Sequence, residues 1–148
     1  MTEKELFEQK KQREIEGRVF PLYIQAKDYF ENGENEKGWE AMLATINEFP
    51  EPKYEHDLLY LMLTEMAKFA LQTNEYHVVK DYLSLFFITG LTRLDIGERE
   101  ALVGKIEYEL GHMETAKQLL KVALAKRQAI NYFKGKENEK YLKLAKEK

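Results

Sequence analysis

The only serine of the chain, Ser84, stands in "DYLSLFF" with no glycine beside it. A nucleophilic serine needs a sharp, glycine-flanked turn to expose its oxygen, so serine hydrolysis is set aside. The chain has no cysteine, and therefore no thiol nucleophile, disulfide or thiolate metal site. The histidines are His56, His77 and His112. In "ELGH", Glu109 and His112 have the spacing of a carboxylate-bridged metal site, but such sites need a second pair and further glutamates. Gly111 also interrupts the helix that would hold this pair. In "EHD", residues 55–57, His56 lies between two carboxylates. At a helix start such acids complement the dipole, and capping accounts for them better than acid–base catalysis. "GENEKGW" lacks the lysine and hydroxyl that must follow the second glycine of a phosphate-binding loop. No catalytic set converges, and the residues read as non-enzymatic, with no metal and no cofactor.

One pattern survives this screening. Lys27, Lys68 and Lys105 each stand six residues before a residue that tolerates a left-handed turn, namely Gly33, Asn74 and Gly111. Seven residues before these anchors come Ala26, Ala67 and Gly104, all small; three before come Phe30, Leu71 and Tyr108, all large. Five after come Gly38, Val79 and Ala116, nine after come Met42, Leu83 and Leu120, and thirteen after come Ile46, Phe87 and Leu124. Small and large positions shared on both sides of a turn mark stacked helical hairpins. Within a helix Gly104 costs about 1 kcal/mol relative to Ala, which close approach of a neighbouring helix would offset. The pattern therefore predicts Gly104 facing Ala116 across the third hairpin, with Gly111 making the turn.

These positions resemble the tetratricopeptide repeat family, which combines a small residue in the first helix, a small turn residue and small residues in the second helix, often with a closing proline. The third unit matches through Gly104, Tyr108, Gly111, Ala116 and Ala123. The first matches through Ala26, Tyr29, Phe30, Gly33, Gly38 and Pro50, while the middle unit carries the larger Val79 and Phe86. Anchors lie 41 and 37 residues apart, against about 34 in the family, and "FPEPKYEHD" and "TGLTRLDIG" absorb the excess. The resemblance covers about residues 19–127. It implies an all-α fold: a right-handed superhelix of about three hairpins (about 19–52, 60–93 and 97–130) with an N-terminal helix and a C-terminal capping helix at about 137–147, in one domain spanning 1–148.

The resemblance also implies a site. In that family the first-helix position occupied here by the three lysines faces a concave groove and often contacts ligand. Lys27, Lys68 and Lys105 resemble a clamp for a carboxylate or another anion, with Tyr23, Phe30, Leu71 and Tyr108 lining the groove. The asparagines that accompany lysine in chaperone-binding members are absent. Glu31 and Glu109 stand four residues beyond Lys27 and Lys105, within range of local pairing. A solvated lysine row is the alternative.

The elements that must position these residues are legible in outline. Thr2 and Glu5 predict a capped N-terminal helix that breaks near Gly17 and Pro21, and Asp95 with Glu98 predicts a capping box before the third hairpin. "YLSLFFITG", residues 82–90, is strand-like in composition, but the helical pattern entering from Glu75 predicts helix, giving seven or eight helices in all. After Gly135, "ENEKYLKLAKEK" predicts a cap helix with Tyr141, Leu142 and Ala145 on one side.

Composition agrees with a folded helical chain: 44% hydrophobic and 33% charged residues, with only 3 prolines. The net charge of −3 hides a polarity, since residues 117–148 carry ten Lys/Arg against three Glu, and residues 28–65 carry ten Asp/Glu against two Lys. The acidic body repels phosphate and argues against nucleic acid. No apolar run approaches the roughly 20 residues of a membrane span, and the charged start lacks a signal peptide's apolar core, so a cytoplasmic protein without membrane insertion is expected. The function these features predict is a scaffold-like module that binds a protein or peptide in its groove. The alternative is an acidic inhibitor or immunity-type protein that masks a basic partner surface.

Overall fold

The chain opens on the expected capping box: Glu5 N–H donates to Thr2 Oγ1 at 3.1 Å, and Thr2 N–H donates to Glu5 Oε2 at 3.0 Å. The structure is a computed structural model describing residues 1–148. Seven α-helices follow one another: α1 (Glu3–Glu31), α2 (Asn35–Asn47), α3 (Asp57–Thr73), α4 (Glu98–Glu109), α5 (Met113–Ala125), α6 (Ala129–Phe133) and α7 (Glu139–Lys146). Short 3-10 segments lie at Lys53–Glu55, Lys80–Phe87, Leu91–Arg93 and Lys136–Asn138. The fold is all-α; no strand forms, including over residues 82–90. No helix is long and apolar enough to cross a membrane.

Two chemically distinct devices close the helix ends. Gly33, Asn74 and Gly111 adopt left-handed φ values of 76°, 57° and 87°. Each lets a following amide reach back to an orphan carbonyl: Glu34 to Tyr29 (2.8 Å), Glu75 to Ala70 (3.1 Å) and His112 to Glu107 (2.9 Å). These are Schellman-type ends to α1, α3 and α4. Several other carbonyl ends, though not that of α5, are met by cationic side chains. Lys53 Nζ donates to Phe49 O at 2.7 Å beyond α2, Lys105 Nζ to Tyr132 O at 2.6 Å in α6, and Lys121 Nζ to Ala145 O at 3.0 Å in α7. Arg99, only 1% exposed, donates to Phe86 O (2.6 Å), Thr89 O (2.9 Å) and Gly90 O, with its guanidinium 4.9 Å from the Tyr60 ring centroid. Negative carbonyl ends attract cations, and here the cations also tie separate elements together.

Helices α1 and α2 pack as one hairpin, and α4 and α5 as another. Each pairing depends on a glycine. A Cβ on Gly38 would lie 2.9 Å from the Phe30 ring, and one on Gly104 would lie 2.9 Å from Leu120 Cγ and 3.3 Å from Leu119 Cβ. The close partner of Gly104 is thus Leu120, one turn beyond the expected Ala116. Burial forms two clusters. The larger joins α1, α2, α3 and the 3-10 segment Lys80–Phe87 to α4 through residues such as Ile15, Val19, Met42, Leu63, Met66, Phe86 and Ile106. The smaller joins α4 and α5 to the C-terminal helices through Ala101, Ala116, Leu120, Phe133, Tyr141 and Leu144.

Three local expectations are corrected. Helix α1 runs unbroken through Gly17 and Pro21. An interior proline costs about 3 kcal/mol, but Ile15 and Val19 before it and Ala26 after it are all buried in the same core. Packing on both sides therefore outweighs the local defect. The residue whose carbonyl the Pro21 ring crowds is Gly17, which has open space around it. Second, α4 starts at Gly97 with no side-chain cap: Tyr60 Oη donates to Glu98 at 2.9 Å, and Arg127 pairs with Asp95 at 3.2 Å. Both members of the expected capping box have been recruited by tertiary partners. Third, no regular α-helix follows Asn74. Instead Lys80–Phe87 winds as 3-10 helix, with Leu83 and Phe86 buried one three-residue turn apart. Its Asp81, Tyr82, Ser84, Phe86 and Phe87 favour an α-helix only weakly, and Arg99 takes the Phe86 carbonyl that an α-helix would use. The cap helix α7 forms within its expected limits.

Candidate binding cleft

Helices α1 and α3 meet through aromatic side chains. The Phe30 and Phe69 rings stack at 4.3 Å with a 21° interplanar angle, and Trp39 of α2 backs Phe30 edge-on at 5.1 Å and 80°. Above these rings an open cleft of about 690 Å³ is lined by Tyr23, Lys27, Phe30 and Glu31 of α1, by Asn35 at the start of α2, and by Glu65, Phe69, Gln72 and Thr73 of α3. Tyr23 Oη donates to Glu65 Oε2 at 3.2 Å across it. Burial, then the charge and hydrogen bond of Glu65 and the charge of Glu31, push the Tyr23 hydroxyl up to about 12. The lining thus combines an apolar floor with a rim of one cation, two carboxylates and neutral hydrogen-bonding groups.

The expected groove residues fall into separate places. Tyr23, Lys27 and Phe30 line the cleft. Lys68 lies outside its lining, exposed on α3 and 3.8 Å from Glu65. Leu71 borders a smaller hollow of about 200 Å³ with Asn74, Tyr76, Lys140 and Tyr141. Lys105 and Tyr108 belong to a different junction, where residues 132–141 lie against α4. Lys105 is 8% exposed, with Nζ on the Tyr132 carbonyl and 5.5 Å from the Tyr141 ring centroid. Burial lowers its amine to about 8, with the charge of Glu137 acting in the opposite direction. Tyr108 meets Tyr141 edge-on at 5.2 Å. The three lysines therefore do not line one surface. The continuity of the flanking helix separates them: α3 is unbroken, whereas the C-terminal stretch breaks after Phe133 and offers the Tyr132 carbonyl to Lys105.

The opposite wall of the cleft, Glu65, Phe69, Gln72 and Thr73, was not anticipated. Its sequence signal was the spacing 65, 69, 72, which places three of these side chains on one face of α3. The histidine groupings also resolve. His56 is buried with Nε2 3.0 Å from Pro50 O, and His112 Nδ1 lies 2.9 Å from Glu107 Oε2 rather than on Glu109. Glu109 instead accepts from Tyr141 Oη at 2.7 Å and pairs with Lys140. No group of three His, Cys, Asp or Glu side chains is arranged to hold a metal ion. No family model, curated protein or solved structure matches the chain.

Proposed function

We propose that the protein is a non-enzymatic binding module that seats a segment of another protein in the α1/α3 cleft. The observation that carries this reading is the open cleft itself: a stacked aromatic floor, rigidly backed by Trp39, under a hydrogen-bonding rim. Buried aromatic anchors supply most of the energy at such sites, and surrounding polar groups set orientation. The stacking of hairpins in the manner of tetratricopeptide repeats, along a right-handed superhelical path, belongs to the same proposal. It is supported by equivalent Schellman ends at Gly33, Asn74 and Gly111 and by the glycine-mediated packing of both regular hairpins. A masking role against a basic partner is the second reading, favoured by the ten Asp/Glu against two Lys of residues 28–65.

The test is affinity capture from the native host with two baits, the wild type and Gln72→Trp. Gln72 is exposed on the cleft wall, so the indole fills the opening without disturbing the core. Loss of a specific partner from the variant is expected. An identical set of partners on both baits removes the cleft from consideration.

A further inference from the structure

The two junctions carry matching residues at matching distances from their turns, and one of them shows how a cation is seated. At the α4/α7 junction, Glu109 stands two residues before Gly111 and Tyr108 three before. Lys140 of α7 pairs with Glu109, and its ammonium lies 5.5 Å from the Tyr108 ring centroid and 5.1 Å from that of Tyr141. Carboxylate and ring faces together hold the charge. At the α1/α3 junction, Glu31 stands two residues before Gly33 and Phe30 three before. Phe69 of α3 meets Phe30 where Tyr141 meets Tyr108, although the phenylalanines stack face to face (4.3 Å, 21°) and the tyrosines meet edge-on (5.2 Å, 86°).

The cation is where the two differ. Lys68 precedes Phe69 as Lys140 precedes Tyr141, but it turns to Glu65 on its own helix and lies outside the cleft lining. Glu31 faces the cleft with no ion pair from within the chain, and Lys27, one turn earlier, makes none either. The surrounding segment is strongly acidic, which attracts positive charge from a distance.

We infer that the α1/α3 cleft recognises a lysine or arginine side chain of a partner protein, its charged head on Glu31 and Glu65 and its aliphatic stem over the Phe30 and Phe69 rings. This rests on the proposed binding role of the cleft. It reverses the preference expected from the lysine row, which pointed to an acidic or carboxylate-bearing ligand. The negative influence of Glu65 and Glu31 on the Tyr23 hydroxyl agrees with this sign.

Trp39 makes the test direct. It is the only tryptophan, buried and in contact with the floor residue Phe30 but remote in the fold from α7. Two acetylated, amidated peptides serve as probes for the full chain: EKYLKLAK, the sequence of Glu139–Lys146 that presents the cation at the other junction, and its counterpart with all three lysines changed to glutamate. The lysine peptide is expected to change Trp39 fluorescence saturably. Glu31→Gln should weaken it roughly three- to tenfold, and Lys27→Met should strengthen it. Tighter binding of the glutamate peptide, weakened by Lys27→Met, overturns the cation proposal and leaves the cleft reading standing. If neither peptide moves the Trp39 signal and Gln72→Trp leaves partner capture unchanged, both readings fail. Sedimentation without peptide provides the remaining arm: a salt-sensitive dimer abolished by Glu31→Gln makes a second copy the occupant and overturns the assignment to a partner protein.

Discussion

The α1/α3 and α4/α7 junctions start from the same residue plan and end in opposite states. Lys27 and Lys105 occupy equivalent positions, yet one is exposed at an open cleft and the other is 8% exposed beneath the chain's own C-terminal segment. The helix lying alongside makes the difference. Helix α3 runs 17 residues without a break, so its interior carbonyls are engaged within the helix. The C-terminal stretch is interrupted between α6 and α7 at Lys134 and Gly135, the latter with φ of 90°. An interrupted helix exposes carbonyls that need partners, and Lys105 supplies one. A helix break thus turns a solvent-facing cation into a buried strut, and helix continuity leaves its counterpart exposed at the cleft.

The largest effect should come from what both junctions share. Arg99 fastens the 3-10 segment to α4, between the two junctions, through three carbonyls. Arg99→Met leaves those buried acceptors without their donor and is expected to cost about 3–5 kcal/mol by denaturant unfolding. A loss below about 1 kcal/mol would mean that the junctions do not depend on this link.

The glycines divide the junctions next. Gly104→Leu and Gly38→Leu should each destabilise by on the order of 1–3 kcal/mol through overpacking. Only Gly38→Leu displaces Phe30, 2.9 Å from its new Cβ, and should therefore alter Trp39 emission in the folded protein. Equal emission from the two variants would erase the distinction. A melting temperature unchanged or raised by Gly104→Leu would show that this glycine is not a packing position.

Smaller effects come from titration. Burial lowers Lys105 to about 8 from an ordinary value near 10.5, so between those values the unfolded chain binds more protons and stability rises with pH. Tyr23, Tyr60 and Tyr141 are shifted upward from 10, by burial first and by neighbouring carboxylates. Above pH 10 the folded chain therefore holds more protons, and stability falls. Melting temperature should climb from pH 8 toward 10 and then drop, and Lys105→Met should flatten only the climb. Lys27→Met, at the open junction, should shift stability by no more than about 0.5 kcal/mol.

The sequence made the regular parts of this comparison legible. Gly33, Asn74 and Gly111 were readable as left-handed ends because few residue types tolerate that conformation, and Thr2 with Glu5 because their bonds are local. Tyr23, Lys27 and Phe30 were readable as groove residues through the resemblance to the tetratricopeptide pattern, and all three line the α1/α3 cleft. Features decided by distant partners were not readable. Asp95 and Glu98 have the form of a capping box, but their side chains are claimed by Arg127 and Tyr60. Nothing local marks Arg99 as the donor to carbonyls nine to thirteen residues away. The burial of Lys105 was not legible, because it depends on the break at Gly135, and periodicity gives a residue's face but not what covers it.

Lysine acylation kinetics followed by mass spectrometry, on the full chain at neutral pH, tests the contrast between the two junctions most directly. We expect Lys27 to react like a free surface amine and Lys105 to react more than about tenfold slower, limited by opening of the C-terminal segment. Equal rates at the two positions would contradict the open and closed junctions.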